Sequence, residues 1–264
     1  MAFAQDMSAP IAPDRVPDLL ATLRSETAAE NTRLQALGDV ASYFWRSDGD
    51  AATRKQILAG ILGLLTEKSP HRLTIGALRA LQALGLPRTL KVLAVECDAV
   101  DRHVEVRLAA LEAAAGVGGV AAIPTLAYSL GDRDPTVVEG AARWLERICW
   151  AQGDELDPQA RWRRFFHSES GERVLVAAFA KLRGAVGDIA ANLRGGIPTH
   201  VVAFVLDDDL GDAAWQEAYC YLADCVGLAA DLRADRRRAT VAVREAWPFV
   251  RVSRRDATEH EHGT

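Results

Sequence analysis

Two arginine-rich stretches carry the chemistry of polyanion binding: Arg161-Trp162-Arg163-Arg164-Phe165 and Arg236-Arg237-Arg238. Guanidinium groups hold phosphates, and aromatic rings set among them stack bases. The chain as a whole opposes that chemistry. It has 31 basic against 36 acidic residues, a net charge of −5 and a pI near 5.7, so it is no general polyanion binder. Arg161, Arg163, Arg164, Arg236, Arg237 and Arg238 therefore read in one of two ways. They form a local basic patch, or they are a solvated helix surface whose arginines pair with acids such as Asp207, Asp208 and Asp209.

Other reactive residue types are scattered. The acid–histidine run Glu259-His260-Glu261-His262 lies in a C-terminal stretch without apolar period, where nothing preorganises a metal site. Asp207-Asp208-Asp209 lacks the Gly-spaced ligand loop of a hard-cation site and reads as a solvated turn. His71, His103, His167 and His200 are far apart in sequence and read as surface or capping residues. Cys97, Cys149, Cys220 and Cys225 form no CxxC pair, and the last two sit at helical spacing in an apolar run. Cys149, Cys220 and Cys225 are expected to be reduced and largely buried. No Cys, His and Asp constellation marks a nucleophile, so neither a catalytic centre nor a cofactor is expected.

The elements that would position such residues are helical. Apolar residues make up 49% of the 264 and aromatics only 6%, and the abundant Ala and Leu favour helix. The N-terminal stretch lacks the basic and apolar regions of a signal peptide. No window holds ~18 uninterrupted apolar residues. A cytoplasmic protein without membrane insertion is the expectation.

A repeat organises the first half. "DPTVVEGAARWL" aligns with "HVEVRLAALEAA" on Val137 and Val106, and both align with "PHRLTIGALRAL" on Leu73. "ENTRLQALGDV" joins them less closely on Thr32. The first three have an apolar anchor followed, three and four residues on, by small residues: Gly76-Ala77, Ala109-Ala110 and Gly140-Ala141. These positions share one helix face and admit a close neighbour. Asp134 is an N-cap, and Pro135 falls at the first helical position, where its missing N–H costs nothing. Apolar periodic segments lie between these helices, so each repeat is a helix pair that buries its apolar face only by stacking. Second helices are predicted to start near Glu30, Pro70, Val104 and Pro135, and "FWRSDGDAATRKQ" reads as a longer loop.

The pattern resembles the HEAT family, and within it the short bacterial HEAT-like repeats also found in phycobilin lyases. The family's second helix reads Asp-Pro-x-Val-Arg, then Ala-Ala, then Leu. Asp134, Pro135 and Val137 match, with Val138 in place of the Arg; Val106 and Arg107 match, with His103 in place of the Asp. The resemblance covers about Pro13 to Cys149 and implies an all-α, right-handed α-solenoid of stacked HEAT-like helix pairs. The expected division is a flexible N-terminus at 1–12, repeats over 13–150, irregular helical repeats or a cap over 151–252, and a disordered tail at 253–264. "PTHVVAFVL" has the β-branched content of a strand as an alternative to helix.

In the repeat frame, positions +2 and +5 point away from the anchor face and carry Leu34, Leu37, Ile75, Leu78, Leu108 and Leu111. Charged residues border them, including Arg79, Glu112 and Arg143. Second helices line the concave side of a HEAT-type solenoid, so these residues form either an apolar strip for a partner or a seam covered by the chain itself. The function expected is a non-catalytic scaffold or adaptor that binds another protein on the concave face. A nucleic-acid-binding HEAT-like protein or a lyase-like enzyme is the alternative.

Overall fold

A computed structural model of the chain describes residues 13–46, 51–66, 68–149, 157–185, 199–228, 230–248 and 250. Among the described residues every regular element is helical, with thirteen α-helices and four short 3-10 turns. The β-branched run that offers a strand is helix α11 (Thr199–Val205). The residues at 1–12 and 253–264, including the acid–histidine run, lie outside the described residues.

The chain divides into two compact units, Met1–Leu86 and Pro87–Thr264. The first holds α1 (Val16–Arg24), α2 (Glu30–Arg46), α3 (Ala51–Leu62) and α4 (His71–Leu84). Helix α1 packs on α2 and α3, and α2 packs along α4. Leu20, Leu23, Val40, Ile57, Ile61, Leu73 and Leu81 are all buried there. Gly85 ends α4 in the left-handed region at φ 58° and donates its N–H to the Leu81 carbonyl, a backbone state open to Gly at no steric cost. Much of the segment read as a long loop is helix, because α2 extends to Arg46 and α3 begins at Ala51.

The second unit holds α5 (Leu90–Asp98), α6 (Val104–Gly118), α7 (Ile123–Ser129), α8 (Pro135–Cys149), α9 (Pro158–Phe166), α10 (Glu169–Ala185), α11, α12 (Asp212–Val226) and α13 (Arg236–Ala246). Helix α6 packs on α5 and α8, α10 on α12 and on the turn Gly119–Ala122, and α11 on α12, α7 and α5. Helix α9 packs on α8, and α10 and α11 both pack on α7.

Capping follows the sequence. The second helices begin at Glu30, His71, Val104 and Pro135. Asp134 Oδ1 accepts the Thr136 N–H at 2.8 Å, and Asp157 Oδ1 accepts that of Gln159 at 3.0 Å ahead of Pro158. Where the resemblance puts an Asp, His103 does the same work, its Nδ1 accepting the Glu105 N–H at 3.3 Å. The small residues sit in the core: Ala77, Ala110 and Ala141 are fully buried. The run Val104–Ser129 is apolar enough, by length and composition alone, to cross a bilayer, with a mean hydropathy of 1.6. Of the 18-residue window that gives this value, 61% is buried inside the structure, and buried helices are apolar too.

Gly171 fixes the corner between α9 and α10. A Cβ there would run into the backbone carbonyl of Phe165, and backbone cannot yield as a side-chain tip can. Gly171→Ala is expected to cost about 3 kcal/mol, read from a denaturant melt. An unchanged midpoint would mean that the corner is not packed this closely.

Candidate functional site

The leucine strip is a seam within each unit. Leu37, Leu78 and Leu111 are buried, at 3%, 0% and 0% exposure, and Leu34, Ile75 and Leu108 are half-buried. The reason lies in the next repeat. The Leu34 and Leu37 side chains from α2 close over Gly76 of α4, where an added Cβ would meet them at 3.0 and 3.1 Å. Leu108 of α6 covers Gly140 of α8 in the same way, at 2.7 Å. Position +2 of one second helix thus packs over the small +3 residue of the following one. Of the bordering charges, Arg79 is exposed, Glu112 is half-buried, and Arg143 pairs with Glu139 along its own helix at 2.6 Å.

The arginine-rich stretches do not form an open stacking platform either. Trp162 and Phe166 are buried and stack on each other with centroids 5.7 Å apart, so these rings anchor α9 instead of facing solvent. Arg161 pairs with Glu146 and lies over the Trp162 ring. Arg236 pairs with Asp212 at 2.7 Å, donates to the Asp207 and Asp208 carbonyls at 2.9 and 3.3 Å and lies over the Trp215 ring. It clamps the loop that joins α11 to α12. Arg164, Arg237 and Arg238 are exposed, and Arg163 turns into the site described next.

That site is a cleft of about 680 Å³ in the second unit, a size typical of ligand-binding clefts. Helix α5 contributes Cys97 and Asp98, and Val100 follows on the rim. The end of α7 and its loop contribute Ala127 to Arg133, with Tyr128 among them; α9 adds Gln159, Arg163, Phe166 and, just past its end, His167. Helix α11 adds Thr199, Ala203 and Phe204, and the loop after it adds Asp207 and Asp209. Gln159 Nε2 donates to the Leu130 carbonyl, which ties the start of α9 to the α7–α8 loop.

Behind the cleft lies a set of buried charges. Arg107 of α6 pairs with Asp132, their side chains 6% and 9% exposed. Glu96 and Arg102 pair at 3.3 Å. The His200 imidazole faces Asp98 Oδ2 at 3.8 Å, long for a hydrogen bond, and the His200 backbone is hydrogen-bonded to the Asp98 carboxylate. Asp98 Oδ1 is buried and accepts no hydrogen bond. Burial raises the Asp98 pKa above the ordinary carboxylate value, opposed by His200 and Arg107. Burial, aided by Asp98 and Glu96, also pushes the Cys97 thiol well up. Burial and then Asp98 push the Tyr128 phenol up to about 12. The thiol and the phenol both keep their protons at neutral pH.

At the other end His167 Nε2 meets Asp207 Oδ2 at 3.3 Å, both side chains partly exposed. The hydrogen bond to Asp207 raises the His167 pKa, with Asp209 adding to it and burial and Arg163 opposing. Burial works to raise Asp207, yet His167, the Asp209 N–H and Arg236 together hold it below its ordinary value. The raised histidine pKa means stability that is full below the unfolded value near 6.5 and is lost as pH rises through the folded value. The lowered aspartate pKa means stability present above 3.8 and lost as pH falls through its folded value. The pair therefore holds best between these limits. His167→Ala is expected to lose up to about 1 kcal/mol more at pH 5.5 than at pH 8.5. Melts at the two pH values measure this, and a pH-independent loss would contradict the pairing.

His167 and Asp207 were each legible as polar surface residues, but nothing in their 40-residue separation marks them as partners. Asp98, Tyr128, Ala203 and Phe204 carry no motif; the Glu-Cys-Asp run at the end of an otherwise apolar helix was the available signal. Among the described residues no group of three His, Cys, Asp or Glu side chains is placed to hold a metal. All four cysteines are free; Cys97 and Cys220 are buried, while Cys149 and Cys225 are only half-buried, less than the sequence led one to expect. Compared with known proteins, the chain matches no family model, no curated protein and no solved structure.

Proposed function

We propose that this chain is a non-catalytic scaffold or adaptor, an α-solenoid of HEAT-like helix pairs, that takes a segment of another protein into the cleft of its second unit. The cleft itself carries this reading. It joins aromatic and apolar surface to a few convergent polar groups, the mixture that peptide-sized ligands require. Val100, 69% exposed, extends its apolar surface at the rim. The state of the groups inside favours binding over catalysis. A buried thiol and a phenol that both hold their protons are poor nucleophiles and poor bases, and Asp132 and Asp207 are engaged in ion pairs. The four free thiols fit a reducing compartment such as the cytoplasm.

The partner site so proposed is the cleft and not the leucine seam, which would have to open for a partner to reach it. Peptides selected from a random display library on the full chain provide the test. Ala203→Trp fills the cleft from a half-buried position and is expected to weaken the selected peptides at least about tenfold while leaving the melt within about 0.5 kcal/mol. Equal binding by this variant would remove the cleft from the function.

A further inference from the structure

We infer that the segment received by the cleft presents a cationic side chain, lysine or arginine, to Asp98. This rests on the reading that the cleft is the partner site. Asp98 closes α5 and lines the cleft, with 13% of its side chain still open. Its Oδ1 is buried without a hydrogen-bond donor, while His200 serves the other side of the carboxylate, its ring 3.8 Å from Oδ2 and its backbone hydrogen-bonded to Asp98. A desolvated carboxylate with unmet bonding capacity is costly, and a charged donor is the group that satisfies it best.

The neighbours agree. Asp132 is neutralised by Arg107, and Asp207 is engaged by His167, so the carboxylates left to a ligand are Asp98 and the exposed Asp209. Tyr128 and Phe204 also line the cleft, and aromatic rings attract an ammonium or guanidinium group. Arg133 also lines the cleft; its N–H groups suit the backbone carbonyls that any peptide segment brings. A partner segment with an aromatic or aliphatic residue next to the cation uses both kinds of surface.

Three capped dipeptides test this on the full chain: N-acetyl-Phe-Lys amide, its norleucine analogue and its Glu analogue, each titrated into the ¹⁵N-labelled protein. The lysine peptide is expected to perturb cleft amides and to bind at least roughly fivefold tighter than the norleucine peptide, a modest return for one charged pair. Asp98→Asn is expected to erase that preference, with the lysine and norleucine peptides then binding alike. The wild-type comparison stands by itself if this variant folds poorly. Equal binding of lysine and norleucine peptides, or tightest binding of the Glu peptide, would overturn the cation preference and leave the cleft as a peptide site. If no peptide perturbs the cleft, the cation preference and the cleft reading fall together.

Discussion

Arg107→Ala is expected to cost about 3–5 kcal/mol of folding stability. Arg107 is 5% exposed and pairs with Asp132, itself buried and accepting the Asp134 N–H at 2.8 Å. Its removal leaves the Asp132 carboxylate, largely shielded at the wall of the cleft, without its cation. Arg107 also opposes the upward shift of Asp98 and Cys97, so a second carboxylate is affected. The loss belongs to the unpaired charge more than to the pair itself. Arg107→Met with Asp132→Leu, which removes both charges and keeps the volume, is therefore expected to recover most of it. Urea melts of the wild type, both single variants and the double variant measure the coupling. Additive single losses would mean that the two side chains do not act as a pair.

Leu111→Asp is the second large effect. The lost side chain alone is worth about 2–5 kcal/mol at a fully buried position, and the carboxylate put in its place has no partner. Leu111 is 0% exposed, so the loss falls on the free protein and shows in a thermal melt without any partner present. Arg79→Asp, on the exposed border of the same strip, is expected to stay within about 0.5 kcal/mol of wild type. A Leu111→Asp protein as stable as wild type would return the strip to the surface and restore it as a partner groove.

The helices were legible because their signals are local. Asp134-Pro135 and Asp157-Pro158 announce two starts, and the anchors with their small residues three and four on mark which face is crowded. His103 stands where the repeat pattern has an acid, yet it caps its helix because an imidazole nitrogen can accept the same N–H. The strip was left open between a partner groove and a covered seam for a physical reason. Period alone separates the face that meets a helix's own pair from the rest; it does not separate solvent from the next second helix, and Gly76 and Gly140 are what let Leu34, Leu37 and Leu108 close onto that neighbour. The arginine-rich stretches left two readings open for a similar reason. Trp162 and Phe166 share the inward face of α9, and the acid that meets Arg236, Asp212, lies 24 residues before it. The cleft was least legible of all. Its residues come from α5, α7, α9 and α11, and only the packing of these helices brings Asp98 to Tyr128 or His167 to Asp207.

The claim that function resides in the cleft and not along the leucine seam is tested most directly by mapping a bound peptide on the full chain. Amide shifts in ¹H–¹⁵N spectra, recorded with the tightest peptide from the display selection, are expected to concentrate at Asp98, Val100, Tyr128, Ala203 and Phe204. Shifts concentrated instead at Leu34, Leu37, Ile75 and Leu78, with those cleft residues unmoved, would contradict the account.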